Sequence, residues 1–120
     1  MTLLLFALIP GGCYYDNEED LYGDAECDTT NVTYSADIWP VISDNCVSCH
    51  SGGAPSGNIS LENYDQIKAQ AVIPAGQPGS LYGAISHDPG NSAMPKSGAK
   101  LSECSIAKIK KWIDDGALNN

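Results

Sequence analysis

The strongest periodicity lies at the end of the chain, in KLSECSIAKIKKWIDDGALNN. Ile106, Ile109, Trp112 and Ile113 recur at i, i+3, i+6 and i+7, the apolar stripe of a helix, while Lys108, Lys110 and Lys111 fall mainly off it. Ser102 suits the N-cap, Leu101 and Ile106 are spaced to staple across it, and Gly116 is placed to stop the helix. Shorter helical patterns precede it. In DIWPVISDNCVSCH, Asp37 stands where a cap would, Pro40 falls in the first turn, and Ile38, Val41 and Ile42 share a side. SLENYDQIKAQ has Ser60 as a cap and Leu61, Tyr64 and Ile67 every third residue. PGSLYGAIS predicts a two-turn helix opened by Ser80. No strand-like alternation of useful length appears and no segment repeats, so the pattern predicts an all-α domain of short helices joined by Gly/Pro-rich loops.

The first residues follow a different pattern. MTLLLFALIPGGC is a short apolar run closed by Pro-Gly-Gly and Cys13. It is too short to span a bilayer and reads as a secretory signal over residues 1–12. Small residues before a cysteine resemble a bacterial lipobox, with Cys13 as the lipidated residue. Pro10 departs from the aliphatic residue usual there, and no Lys or Arg precedes the run. Nearly half of the chain's carboxylates crowd into the stretch from Asp16 to Asp28, which repels itself and stays solvated. Residues 13–36 therefore read as a lipidated cysteine and acidic tether, and residues 37–120 as the folded domain. An acidic run behind a lipid cysteine also resembles the surface-export signal of Bacteroidota lipoproteins, so the location implied is the outer membrane, at its periplasmic face or the cell surface. The formal net charge of -9, with no arginine, argues against nucleic acid and for a partner with a basic docking face.

Glycine and proline are frequent, 12 and 7 of 120 residues, which leaves few side chains for a core in so small a domain. A large apolar cofactor would fill that core, and the central stretch NCVSCHSGG offers a way to hold one. A zinc site would need a second cysteine knuckle, and a thioredoxin-like dithiol would need a preceding strand. Neither is visible. The remaining chemistry is c-type haem attachment, with thioethers at Cys46 and Cys49 and His50 as the proximal iron ligand. The downstream candidates for the other axial position are Met94, in the polar loop NSAMPKSG, and His87, which also reads as a turn residue beside Asp88 and Pro89. With Cys13 assigned to lipid and two cysteines to haem, Cys27 and Cys104 are left to pair as a disulfide in an oxidising compartment.

CVSCH, VIPAGQPGSLYGAI and AMPKSGAKLSECSIAKIKKWIDDGA, in that order, resemble the single-haem cytochrome c domains of bacterial envelope proteins, above all the type common in Bacteroidota and Planctomycetes. The resemblance spans most of residues 37–118. It implies the cytochrome c fold, with its first and last helices crossing beside one covalent haem c. It also implies Cys46 and Cys49 as attachment sites and His50 and Met94 as axial ligands. The Cys27/Cys104 pair departs from the family, and so does the absence of arginine, which leaves the haem propionates without a guanidinium. Trp39, Tyr64 or Tyr82 would then have to donate to them. With both axial positions filled the chain is an electron carrier rather than an enzyme. The alternatives are a haem subunit of a larger respiratory or oxidase complex and, if Met94 does not ligate, a five-coordinate haem sensor or peroxidase.

Overall fold

The computed structural model describes residues 27–96 and 98–120, in which every regular element is helical. The expected signal, Cys13 and nearly all of the acidic stretch lie outside the described residues. Among the described residues no helix is long and apolar enough to cross a membrane.

The first helix begins earlier than the sequence pattern predicts. Thr33, in extended backbone, caps a π-helical turn over Tyr34–Ile38 that runs into α1, Trp39–Asn45. Thr33 Oγ1 accepts from Ala36 N at 3.2 Å, and Asp37 Oδ2 accepts from Thr33 N at 2.9 Å. This reciprocal arrangement satisfies donors on both sides of the helix start. Asp37 is thus the partner of the cap and not the cap itself. Pro40 has no N–H to bond back into the preceding turn, and the widened turn lies just ahead of it. The packed body therefore extends below residue 37, since Val32 and Tyr34 are both buried.

A second displaced cap opens α2, Tyr64–Ala71. Asn63 Oδ1 accepts from Gln66 N at 3.1 Å, whereas the Ser60 hydroxyl is engaged by the side chains of Glu62 and Gln66. The other two helices start where the sequence places them. Ser80 caps α3, Leu81–Ser86, accepting from Gly83 N and donating to the Ile73 carbonyl. Ser102 caps α4, Glu103–Asp114. Gly116, at φ 103°, ends α4 as expected, with Gly116 N bonded to Ile113 O and Ala117 N to Trp112 O.

α4 packs against the opening turn and against α3, and α3 packs against α2. Ile38, Ile42, Ile67, Ile85, Ile109 and Trp112 are the largest apolar side chains fully enclosed. Tyr34 bridges the first and last helices, with its ring centroid 5.8 Å from Trp112 and 5.2 Å from Tyr64. Two polar tips of this cluster are satisfied by the returning tail: Trp112 Nε1 donates to Leu118 O at 2.8 Å and the Tyr64 hydroxyl to Ala117 O at 2.7 Å. The tail is held in turn by bonds from Tyr34 N and Ser35 N to Asn120. On the outer side of the crossing Lys108 Nζ meets Asp37 Oδ1 at 2.8 Å, and Cys27 is joined to Cys104, with Cα atoms 5.4 Å apart.

Two outcomes follow from this crossing. The Lys108 hydrogen bond, then the Thr33 amide, hold the Asp37 carboxyl below its ordinary range. Its stabilising contribution is present at neutral pH and is lost as pH falls through the lowered value. Asp37→Asn is expected to cost about 1 kcal/mol at neutral pH in urea titrations, with the gap to wild type closing below about pH 4. Replacing Cys27 and Cys104 together by serine is expected to lower stability by about 2–4 kcal/mol in the same titration.

Candidate functional site

Cys46, Cys49 and His50 leave α1 in one further helical turn, with Cys49 N and His50 N both bonded to the Cys46 carbonyl. Burial places Cys46 inside and leaves Cys49 exposed. Desolvation, and then the nearby Cys49 thiol, push the Cys46 thiol up to about 11, so it is a neutral group at the inner end of the knuckle. His50 is also buried, at 8% exposure. Its backbone is tied on both sides, because its carbonyl accepts from Leu61 N at 2.8 Å.

The imidazole has a defined orientation. His50 Nδ1 lies 2.9 Å from the Ile59 carbonyl. A carbonyl can only accept, so Nδ1 carries the proton and donates, and Nε2 is left as the basic nitrogen. This is the arrangement in which a histidine serves as a metal ligand with its other ring nitrogen anchored. Among the described residues no three His, Cys, Asp or Glu side chains converge on a metal-ion position. The two thiols and the imidazole of the knuckle therefore do not close on one point, as a zinc knuckle would.

All three knuckle residues line one cleft of about 260 Å³. Its interior is apolar, formed by Ile59, Leu61, Leu81, Ala84, Ile85 and Leu101, and its rim includes the exposed Ser48, Cys49, Ser92 and Lys96. Met94 lines the same cleft from the far side of the sequence. Its loop is held to α3 by Met94 N bonded to Ala84 O at 3.1 Å. His87 does not line the cleft. It closes α3 in left-handed backbone, and its Nε2 lies 3.1 Å from the Met94 carbonyl, to which it donates. The candidate second histidine thus supports the methionine loop from outside.

Trp39, Tyr64 and Tyr82, the donors considered for propionates, do not line the cleft either. Tyr64 is used by the C-terminal tail, Trp39 lies beside Tyr34, and Tyr82 sits under Lys110. The cleft carries instead three side-chain amides that sequence reasoning passed over, Asn45, Gln70 and Asn91, of which Asn45 donates to the Val41 carbonyl at 2.8 Å. Asn91 Nδ2 is buried without a hydrogen-bond partner and packs against Gly83 of α3. An apolar slot lined by two thiols, an imidazole and a thioether fits a covalently held haem.

No protein-family model matches the chain, and no solved structure matches it. Among curated proteins the chain is similar to cytochrome c6 of Synechococcus sp., 32% identical over 85 residues, which cover 71% of this chain and 72% of the relative. It is also similar to cytochrome c6 of Picosynechococcus sp., 33% identical over 87 residues, covering 67% of this chain and 71% of the relative. With that identity and coverage added to an all-α fold and a haem-type knuckle, the chain belongs to the family of small c-type cytochromes, electron-transfer proteins with one covalently attached haem c.

Proposed function

We propose that the chain is a single-electron carrier of the bacterial cell envelope, with haem c joined through Cys46 and Cys49 and with His50 and Met94 as axial ligands. The observation that carries this reading is the fixed His50 tautomer: Nδ1–H is spent on the Ile59 carbonyl, and the basic Nε2 belongs to a side chain that lines the same cleft as Met94. Bound haem c supplies one-electron chemistry between ferric and ferrous iron. The residues around it do the rest. Leu61, Leu81, Ile85 and Leu101 exclude water from the cleft, and a thioether from Met94 favours ferrous iron and raises the potential. With two protein ligands in place, no coordination site is left for a substrate, which supports a carrier over a sensor or peroxidase.

The leader supports export. Residues 1–12 act as the signal, Cys13 takes the lipid, and residues 13–36 form the acidic tether to the haem domain over residues 37–120, with Val32 and Tyr34 packed into that domain. The anchor lies at the outer membrane, and the tether lets the domain reach redox partners. The net charge of -9 favours partners with a basic face.

Met94→Ala in the haem-loaded protein tests the ligation. The ferrous form is expected to bind carbon monoxide at once where the wild type does not, and the reduction potential to fall by on the order of a hundred millivolts, within the ~0.8 V that axial ligands span. An unchanged spectrum and potential would remove Met94 from the iron. Electron transfer to a basic acceptor protein is expected to slow as ionic strength rises, measured by stopped flow. A rate that rises with salt would contradict the basic-partner assignment.

A further inference from the structure

The Met94 loop is held at few points. Among the described residues from Ser92 to Ala99, Met94 alone takes part in hydrogen bonds. Its amide donates to the Ala84 carbonyl at 3.1 Å, and its carbonyl accepts from His87 Nε2 at 3.1 Å. Both bonds run to the C-terminal end of α3. Pro95, next in the chain, has no N–H to add a third. The same residue that carries these bonds lines the cleft with its side chain.

The histidine that makes the second bond has no other evident task. His87 closes α3 at φ 61° and ψ 38°. That left-handed backbone carries a steric cost for a residue with a Cβ, and at helix ends it is most often filled by glycine. His87 N bonds to Ala84 O at 3.3 Å and Asp88 N to Gly83 O at 2.9 Å, so the last turn is closed by backbone groups and not by the ring. Nor does the imidazole serve the core, since His87 is exposed and does not line the cleft. Among the described residues the only hydrogen bond of its ring goes to the Met94 carbonyl. A carbonyl only accepts, so Nε2 carries the proton and donates. The Ala84 carbonyl accepts twice, from His87 N and from Met94 N. His87 and Met94 are thus joined through one shared carbonyl and directly to each other.

The amide and the carbonyl of one residue belong to the peptide planes on either side of its Cα. Holding both fixes the direction in which the side chain leaves the backbone, and only the side-chain torsions stay free. With the amide bond alone, the plane shared with Pro95 could still turn and take the thioether with it. We propose that His87 is a positioning residue for the axial methionine: its Nε2–H fixes the Met94 carbonyl to the end of α3, so that the sulfur is kept on the iron. The inference rests on the haem reading above, with Met94 as ligand, and goes beyond it by naming what holds that ligand. A ligand from solution has to wait for the sulfur to leave, and the sulfur leaves more readily from a loop held by one bond than from a loop held by two.

The test compares the haem-loaded wild type with His87→Gly and His87→Phe. Glycine suits the left-handed backbone and lacks the donor, whereas phenylalanine keeps a ring and lacks the donor too. Amide hydrogen exchange at Met94, followed by NMR on the ferrous form, reports the loop. The limiting rate at which imidazole replaces the sulfur in the ferric form, followed at the sulfur-to-iron absorption band, reports the ligand. Both rates are expected to rise by about three- to tenfold in both variants, the loss of one ordinary hydrogen bond. A role at the helix end alone predicts the other sign for His87→Gly, because glycine relieves the backbone there. Rates unchanged or slowed in His87→Gly therefore overturn the proposal. So does faster exchange at Met94 with unchanged entry of imidazole, which makes His87 a prop of the loop without influence on the ligand. Acceleration in only one of the two variants also overturns it, since the effect then belongs to backbone strain or ring bulk. All three outcomes leave the haem reading standing. A coloured wild type without the sulfur-to-iron band overturns the methionine ligation and the proposal with it, and a wild type that comes back colourless from a host with haem-attachment machinery overturns the haem reading as well.

Discussion

The hydrogen bond from His50 Nδ1 to the Ile59 carbonyl is the constraint on which the rest of the site depends. It fixes the tautomer, turns the imidazole and ties the knuckle to the strand of loop that follows it. The loop is secured again two residues on, where Leu61 N bonds back to the His50 carbonyl. A histidine directly after the second cysteine would otherwise be free to swing, because the knuckle itself fixes only the backbone of the turn. Once the ring is held, the order of the knuckle has a consequence: two thiols and an imidazole line one apolar slot.

The remainder of the molecule serves to close that slot. α3 supplies Leu81, Ala84 and Ile85 to its lining, and the segment just before α4 supplies Leu101. The crossing of the opening turn with α4 holds the frame through Tyr34 and Trp112, and the Tyr34 amide and the Trp112 indole N–H are both bonded to the tail. The Met94 loop hangs from α3 by two bonds, one from its amide to Ala84 and one from His87 to its carbonyl. The methionine and the histidine, more than forty positions apart in sequence, are therefore brought to one cleft by backbone anchoring as much as by side-chain packing. A chain with few large apolar residues builds walls in this way, and the bound ring supplies the interior.

What was legible in the sequence was whatever is local. α4 could be read because cap, apolar stripe and terminal glycine agree, and Ser80 could be read for the same reason. The knuckle was legible from its spacing alone. The start of α1 was not, because Thr33 and Asp37 cap it reciprocally and Pro40 widens the turn before it, a competition that periodicity does not register. At α2, Ser60 and Asn63 are both cap residues, and the choice was decided by Glu62 and Gln66 occupying the serine. The Ile59 carbonyl, Gly83 and Asn91 were missed for a different reason. Each matters only because the chain folds back on itself, and the one local hint was a polar residue in the NSAMP loop. Val32 and Tyr34 were read as tether because two apolar residues in a polar stretch show no period.

The central claim is a covalent one: the cleft belongs to a haem stitched to Cys46 and Cys49. Its most direct measurement is the intact mass of the mature chain after expression in a host that attaches haem, compared with the chain in which both cysteines are serine. The account predicts a mass greater than the bare polypeptide by a single haem, and loss of that increment in the double variant. A wild-type chain that folds and has the mass of the unmodified polypeptide would contradict it.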